Sequence, residues 1–333
     1  MPVYIARLMA WFSSRNHQIR TLVERVALVA LVILTSTSLQ LVTVGMRGTT
    51  HELERSTPLI RDVIERSANP WNGTIVISIE TLEEFRRILL PSLANIRFRA
   101  TVTLLYNDMD PAPLHALLSH FSAENILFRC VDVSPYWKLT EREIELSSRP
   151  IGGCKGFPNS YRSMCAFWIF HVQHVLSEYR WYWRLDTDSR LLAPVTTDVF
   201  EWAERNKQQF VGVHFPSSSA CSEGLLDAVQ SWLNGRSEKE TYVWLPAVYR
   251  EPGNVSSWTT YLVNTHFELI DMDLMRTDAW FSFTAMINAS GGIWTTRWGD
   301  HQIKTLFAGL YWHSMNPEDR TMVASYSHQT FAY

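Results

Sequence analysis

Trp181-Tyr182-Trp183-Arg184-Leu185-Asp186-Thr187-Asp188 is a run of strand-forming residues that ends in two carboxylates one residue apart. Aromatic side chains favour a pleated, half-buried surface, so the stretch predicts a strand whose carboxyl end carries the acidic pair. In an open α/β sheet that end is where ligands bind. Carboxylate oxygens there suit a hard divalent cation that also holds a diphosphate, because the metal neutralises a departing phosphate. A bare D-x-D is a common solvated turn. The strand in front of it is what singles this one out.

The chain on either side alternates short apolar runs with longer amphipathic ones. TIVIS at Thr74 to Ser78, ATVTLLY at Ala100 to Tyr106, ILFRCVDV at Ile126 to Val133, FVGVHF at Phe210 to Phe215 and Tyr261 to Leu269 read as strands. Leu82 to Leu93, Pro113 to Phe121, Tyr161 to Glu178, Glu223 to Leu233, Asp273 to Ala289 and Asp300 to Trp312 read as helices. That rhythm predicts an α/β fold with a mixed, mainly parallel central sheet flanked by helices. No internal repeat or low-complexity tract interrupts it, so residues 71–333 read as one domain with nucleotide-binding and acceptor-binding halves.

The 333 residues are 46% hydrophobic and 19% charged, enough to bury a large core, and the net charge of -3 gives no basic excess for a nucleic acid. The 14 Trp, 12 Tyr and 16 Phe supply core volume, and any exposed faces among them suit sugar rings. Val26 to Val44 carries no charge and is long enough to cross a bilayer. Arg7, Arg15, Arg20 and Arg25 precede it, which favours a cytoplasmic N-terminus. The expected order is a cytoplasmic tail over 1–25, a signal-anchor helix over 26–45, a stem over 46–70 and a lumenal domain. N-x-S/T sequons at Asn72, Asn254 and Asn288 fall on the lumenal side. So do Cys130, Cys154, Cys165 and Cys221, which permit up to two disulfides in an oxidising compartment.

Other candidate groups are weaker by themselves. His171 and His174 lie three apart on an expected helix with no third ligand in view, and read as helix-face residues. Glu268 follows an apolar strand and is either a buried catalytic carboxylate or a strand-end residue. Asp300 follows Gly299 at a helix start, where an N-cap is the plain reading. His328 sits in the tail SYSHQT.

These pieces fall in an order that resembles the fungal Golgi α-1,2-mannosyltransferase family, type II membrane enzymes that use GDP-mannose. Tyr161-Arg162-Ser163-Met164-Cys165-Ala166-Phe167 resembles its Y-R-x-M-x-R-F segment, and YRWYWRLDTD its Y-x-W-Y-W-R-V-E-P-D strand. HFELIDMDLMRTDAW resembles N-F-E-I-x-x-x-x-F-F-R-S-x-x-Y, GGIWTTRWGDHQIKTLFAGLYW resembles G-G-F-F-Y-E-R-W-G-D-A-P-V-H-S, and Ser325-Tyr326-Ser327-His328 its G-Y-x-H tail.

The resemblance implies a GT-A-like fold, a manganese ion on the donor diphosphate, and retaining transfer of mannose to a mannoside or glycoprotein-glycan acceptor. It implies that Asp186 and Asp188, with His328, hold the metal, and that Tyr161, Arg162, Arg184 and the acidic pair serve the nucleotide site. Glu268 stands at the family's proposed nucleophile or charge-stabilising carboxylate, and Asp300 at the aspartate of R-W-G-D. E-P-D has become D-T-D here, Ala166 replaces an arginine, and the region between Pro216 and Trp258 is short. These departures leave the donor better defined than the acceptor. The rival readings are a transferase for another nucleotide sugar, a lumenal glycosidase working with paired carboxylates and no metal, and an inactive, membrane-tethered glycan-binding protein.

Overall fold

The structure, a computed structural model, describes residues 70–310 apart from 122, 150–156, 217–220, 238–243 and 245–247, together with 331–332. All of these belong to one compact unit, Arg66–Tyr333. The expected tail, anchor, stem residues 46–69, Cys154 and His328 lie outside the described residues. Among the described residues, no helix is long and apolar enough to cross a membrane.

Strands β1 (Gly73–Ile79), β2 (Ala100–Tyr106), β3 (Ile126–Asp132), β4 (Trp181–Leu185), β6 (Phe210–Pro216) and β7 (Tyr261–Asp271) form a sheet in the order β3-β2-β1-β4-β7-β6. Parallel pairings join β3, β2, β1 and β4. Antiparallel pairings join β4 to β7 and β7 to β6. A small ribbon pairs β5 (Arg190–Leu191) with β8 (Phe331–Ala332). The chain runs outward from β1 through β2 to β3 and then returns to place β4 on β1's other side. That reversal makes a crevice outside the carboxyl ends of β1 and β4, where open sheets take ligands.

Alternation along β4 explains why its aromatics are needed. Trp181, Trp183 and Leu185 face one hydrophobic core with Ile75, Ile77 and Leu104, whereas Tyr182 lies in the other with Val76, Phe210 and Ile270. The first core is closed by α1 (residues 82–93), whose middle turn is a π-helix, by α2 (Pro111–Ser119) and by α5 (Val199–Arg205). The second is closed by α4 (Asn159–Phe170), α6 (Leu225–Asn234), α7 (Asp278–Ser290) and α8 (Asp300–Leu310). A sheet buried on both faces cannot spare polar positions, so a charged residue on β4 must be paired.

The strands and helices expected between residues 71 and 310 are found, with boundaries shifted by a few residues. The helix expected over Tyr161 to Glu178 starts at Asn159, breaks at His171 and resumes for one turn at Val172–Val175. Two helices longer than one turn were not expected from the sequence: α5, capped by Asp198, and α3 (Glu141–Ser147), whose Thr140 and Glu143 form a reciprocal capping box. Cys130 and Cys165 are free thiols and Cys221 is disulfide-bonded, so of the up to two disulfides that the count permits the second does not form. Cys165 is sealed in the core on α4.

Candidate active site

A cavity of about 420 Å³ opens at the switch point of the sheet. Ser78 and Glu80 reach it from the end of β1, Glu84 from the first turn of α1, and Asp186, Thr187 and Asp188 from the end of β4. Asn264, Thr265 and His266 come from β7, Tyr161 and Met164 from α4, Arg297 from the segment before α8, and Asp300, His301 and Gln302 from its start. Thr187 Oγ1 donates to Glu84 Oε2 at 3.0 Å, tying the end of β4 to the first turn of α1.

The pairing of β4 with β7 builds the acidic centre. Arg184 lies opposite Glu268 and Leu185 opposite Phe267, so continuing the register brings His266 to Asp186. His266 Nδ1 is 2.6 Å from Asp186 Oδ2, while Arg184 Nε donates to Asp186 Oδ1 at 2.9 Å. Burial works to raise the Asp186 carboxyl, but Arg184 and His266 hold it below its ordinary value. Contact with Asp186, opposed by burial, lifts the His266 imidazole. Donor atoms of Asp186, Asp188 and His266 lie within 4.8 Å of one another. Two carboxylates and an imidazole are a donor set that suits manganese. Burial, then the charges of Asp186, Glu84 and Asp188, push the Glu80 carboxyl up, so negative charge is crowded here. A divalent cation would relieve that crowding, which is the physical test of fit that the residues pass.

Arg184 is the centre of the arrangement. Its side chain is 4% exposed, packs 4.2 Å over the Trp168 ring, and donates through Nη1 to Asp300 Oδ2 at 2.7 Å. Burial alone would raise the Asp300 carboxyl; Arg184, with His301 and Lys304, holds it far below the usual range. One guanidinium therefore fixes two carboxylates of the cavity wall, and buried charge is tolerated because it is paired on both sides.

Glu268 sits lower. It is wholly buried and is not among the residues lining the cavity. Its Oε1 accepts from Lys304 Nζ at 2.6 Å and from Tyr182 Oη at 2.8 Å, while Oε2 is buried with no hydrogen-bond partner. Arg162 also stays off the cavity wall, donating through Nη1 to the Trp294 carbonyl at 2.8 Å. Tyr161 does line the cavity; its hydroxyl accepts from Arg297 Nη2 at 2.8 Å, and burial pushes its pKa up. Arg297 stacks 3.5 Å over Phe157 and adopts a φ of 63°, a left-handed conformation that costs energy for a non-glycine residue.

Thus Tyr161, Arg184, Asp186, Asp188 and Asp300 meet around one space, and Glu268 and Arg162 lie behind its wall. His266, Lys304, Arg297, Glu80 and Glu84 are the cavity and ion-pair residues that no sequence motif singles out. His266 was visible as a departure, a histidine where the resembled N-F-E-I motif has asparagine. Lys304 lies one helical turn after Asp300, a spacing that puts both on one face.

Residues 145–323, more than half of the chain, match the profile of a family described as glycolipid 2-alpha-mannosyltransferase. The chain is 26% identical over 162 residues to the probable mannosyltransferase KTR4 of Saccharomyces cerevisiae, an overlap covering 46% of this chain and 35% of that protein. It is 26% identical over 156 residues to the alpha-1,2 mannosyltransferase KTR1 of the same yeast, covering 46% and 39%. The matched part thus spans well under half the length of these curated relatives. In fold it is similar to the X-ray structure of the mannosyltransferase Ktr4p from Saccharomyces cerevisiae, with a TM-score of 0.61, 17% identity, and 74% of this chain and 69% of that one covered. It is similar also to core-mannan synthase A from Aspergillus fumigatus in its Mn/GDP form, with a TM-score of 0.59, 15% identity, and coverage of 72% and 70%.

Proposed function

The chain belongs to the glycolipid 2-alpha-mannosyltransferase family, and from that premise we propose that it is a retaining, GT-A-like glycosyltransferase. In this reading it moves mannose from GDP-mannose to a mannoside acceptor on a glycan or glycoprotein, forming an α-1,2 linkage. The observation that carries it is the meeting of Asp186, Asp188 and His266 at the switch point of the sheet. Asp188 and Asp186 would hold manganese, with His266 and His328 as further donors, and the ion when bound offsets the negative charge on departing GDP. Support for His328 comes from the β5–β8 pairing, which returns the chain beside the acidic pair. Two residues separate His328 from Phe331, so three Cα steps give a reach of about 11 Å at most.

The remaining work falls to the chain's own side chains. Arg184 keeps Asp186 and Asp300 ionised and aimed. Tyr161, held by Arg297, bounds the donor space, and Arg162 fixes the helix that carries it. Asp300 orients the acceptor hydroxyl. Glu268 supplies negative charge from beneath the site. Its Oε1 is committed to Lys304 and Tyr182, which favours a front-face reaction over attack by this carboxylate. The domain works in the Golgi or endoplasmic-reticulum lumen, residues 71–333, behind the tail, anchor and stem of residues 1–70.

GDP release from GDP-mannose, measured on the full chain with methyl α-mannoside and either manganese or chelator, tests the reading. Metal-dependent turnover is expected, falling on the order of 10²-fold or more in Asp188→Asn, as removal of a charge-stabilising group typically does. Turnover that survives chelation and that substitution, or none with any sugar nucleotide from a folded protein, overturns it.

A further inference from the structure

A second cavity, of about 440 Å³, lies on the other side of α4. Tyr161 and Met164 of that helix line the acidic cavity, whereas Ser163, Ala166 and Phe170 line this one. Its facing wall is a single stripe of α7: Phe281, Thr284, Ala285 and Asn288. These stand at i, i+3, i+4 and i+7, one helix face. Phe281 and, from the turn after β3, Tyr136 are 40% and 38% exposed, two of the few large hydrophobic side chains open to solvent. Thr284 and Ala285 between them are short, so the stripe is hollow in the middle.

Asn288 ends the stripe, is exposed, and opens the sequon Asn288-Ala289-Ser290. The Cα–Cβ bonds of a helix tilt toward its N-terminus, so the Asn288 amide leans back over Thr284 toward Phe281. We propose that Asn288 carries an N-linked glycan and that the glycan's first sugars lie in this cavity against the Phe281 and Tyr136 rings. In the transfer, the Asn288 amide nitrogen bonds to the anomeric carbon of a polyprenyl-diphosphate oligosaccharide. The carbon–oxygen bond to phosphate breaks, the amide loses one proton, and the polyprenyl diphosphate leaves. N-acetylglucosamine fits the walls: an apolar C–H face for the aromatic rings, and hydroxyl and acetamido groups for Thr140, Glu143 and His171.

The inference rests on the lumenal placement proposed above, and the other sequons separate the two. Asn72 is exposed in the turn before β1 and lines neither cavity, and the Asn254 amide donates to Glu251 Oε2 at 2.8 Å. The full chain is expressed in a eukaryotic secretory host, and occupancy of each asparagine is read by mass spectrometry. Release by an amidase is then timed on the native protein. Occupancy at Asn288 is expected, with release slower than at Asn72 by about tenfold, the equivalent of one aromatic contact. Phe281→Ala and, independently, Tyr136→Ala should each bring the two rates together. A bare Asn288 beside an occupied Asn72 overturns the inference and leaves the lumenal reading standing. Equal release rates at both sites overturn the docking. Three bare sequons in a folded protein bring down both.

Discussion

Two layers of charge share the face of β4 that carries Tyr182 and Arg184, and they differ in what covers them. The upper layer, Asp186, Arg184 and Asp300, lines the acidic cavity. The lower, Glu268, Lys304 and Tyr182, is sealed, with side chains no more than 3% exposed in the ion pair. Trp168 backs both, 4.2 Å from the Arg184 guanidinium and 5.4 Å from Lys304 Nζ. An ion pair on a cavity wall can exchange part of its bonding for a ligand. A sealed pair cannot, because either partner left alone would be a bare buried charge. The upper layer is therefore placed for chemistry, and the lower keeps order beneath it.

Removing one member of the lower layer is the hardest blow to that distinction. Lys304→Met strips Glu268 of its counter-ion and should cost about 3–5 kcal/mol of stability, measured by urea denaturation. Lys304→Met/Glu268→Met removes both charges and should recover most of the loss, since an apolar pair of similar volume packs well. A single variant within about 1 kcal/mol of the parent, inside the range of exposed pairs, would mean that water reaches this layer.

The upper layer makes a smaller, pH-dependent contribution. The Asp300 carboxyl is held far below its unfolded value because Arg184, His301 and Lys304 outweigh its burial. A depressed pKa means that the unfolded state binds more protons as pH falls. The stabilisation is thus complete above about pH 4, the unfolded carboxylate value, and drains away below it. The loss can reach about 1.4 kcal/mol per pH unit for one group. In Asp300→Asn this component is gone, so the stability gap from the parent should be widest at neutral pH and narrow toward pH 2. A gap that does not change with pH would show that Asp300 titrates normally and that Arg184 does not control it.

The sheet was legible because its signals are local. Period-two apolar runs at Ile75–Ile79 and Ala100–Leu105 announce strands whatever packs on them, and WYWRL is unambiguous for the same reason. The acidic pair at the end of β4 followed directly. The sealed layer was not legible, since Glu268 and Lys304 meet only through the antiparallel return of β7 and the packing of α8 on it, which no run of residues encodes. His266 shows a related limit: it stands out only as a departure from the resembled motif, and its role appears when the register sets it against Asp186. The break of α4 at His171 was hidden too, because the apolar pattern runs on through Val172 and Val175 while the backbone changes course.

Cys165 offers the mildest test, one that perturbs nothing. It projects from α4 into the core beside these layers, and burial pushes its thiol up to about 12. At pH 8 such a thiol is about 10⁻⁴ thiolate, against about a quarter for an ordinary cysteine, and burial further blocks a reagent's approach. Maleimide labelling of the native protein should therefore leave Cys165 untouched until the second core opens, so its rate should follow global unfolding as urea is raised. The same measurement on Lys304→Met sharpens the comparison between the layers. If the sealed pair keeps order around α4, labelling in that variant should accelerate by the factor that its lost stability predicts, about 10² for 3 kcal/mol. Labelling that stays at the parent's rate while overall stability drops would confine the damage to β7 and α8, and the lower layer would then support only its own strand.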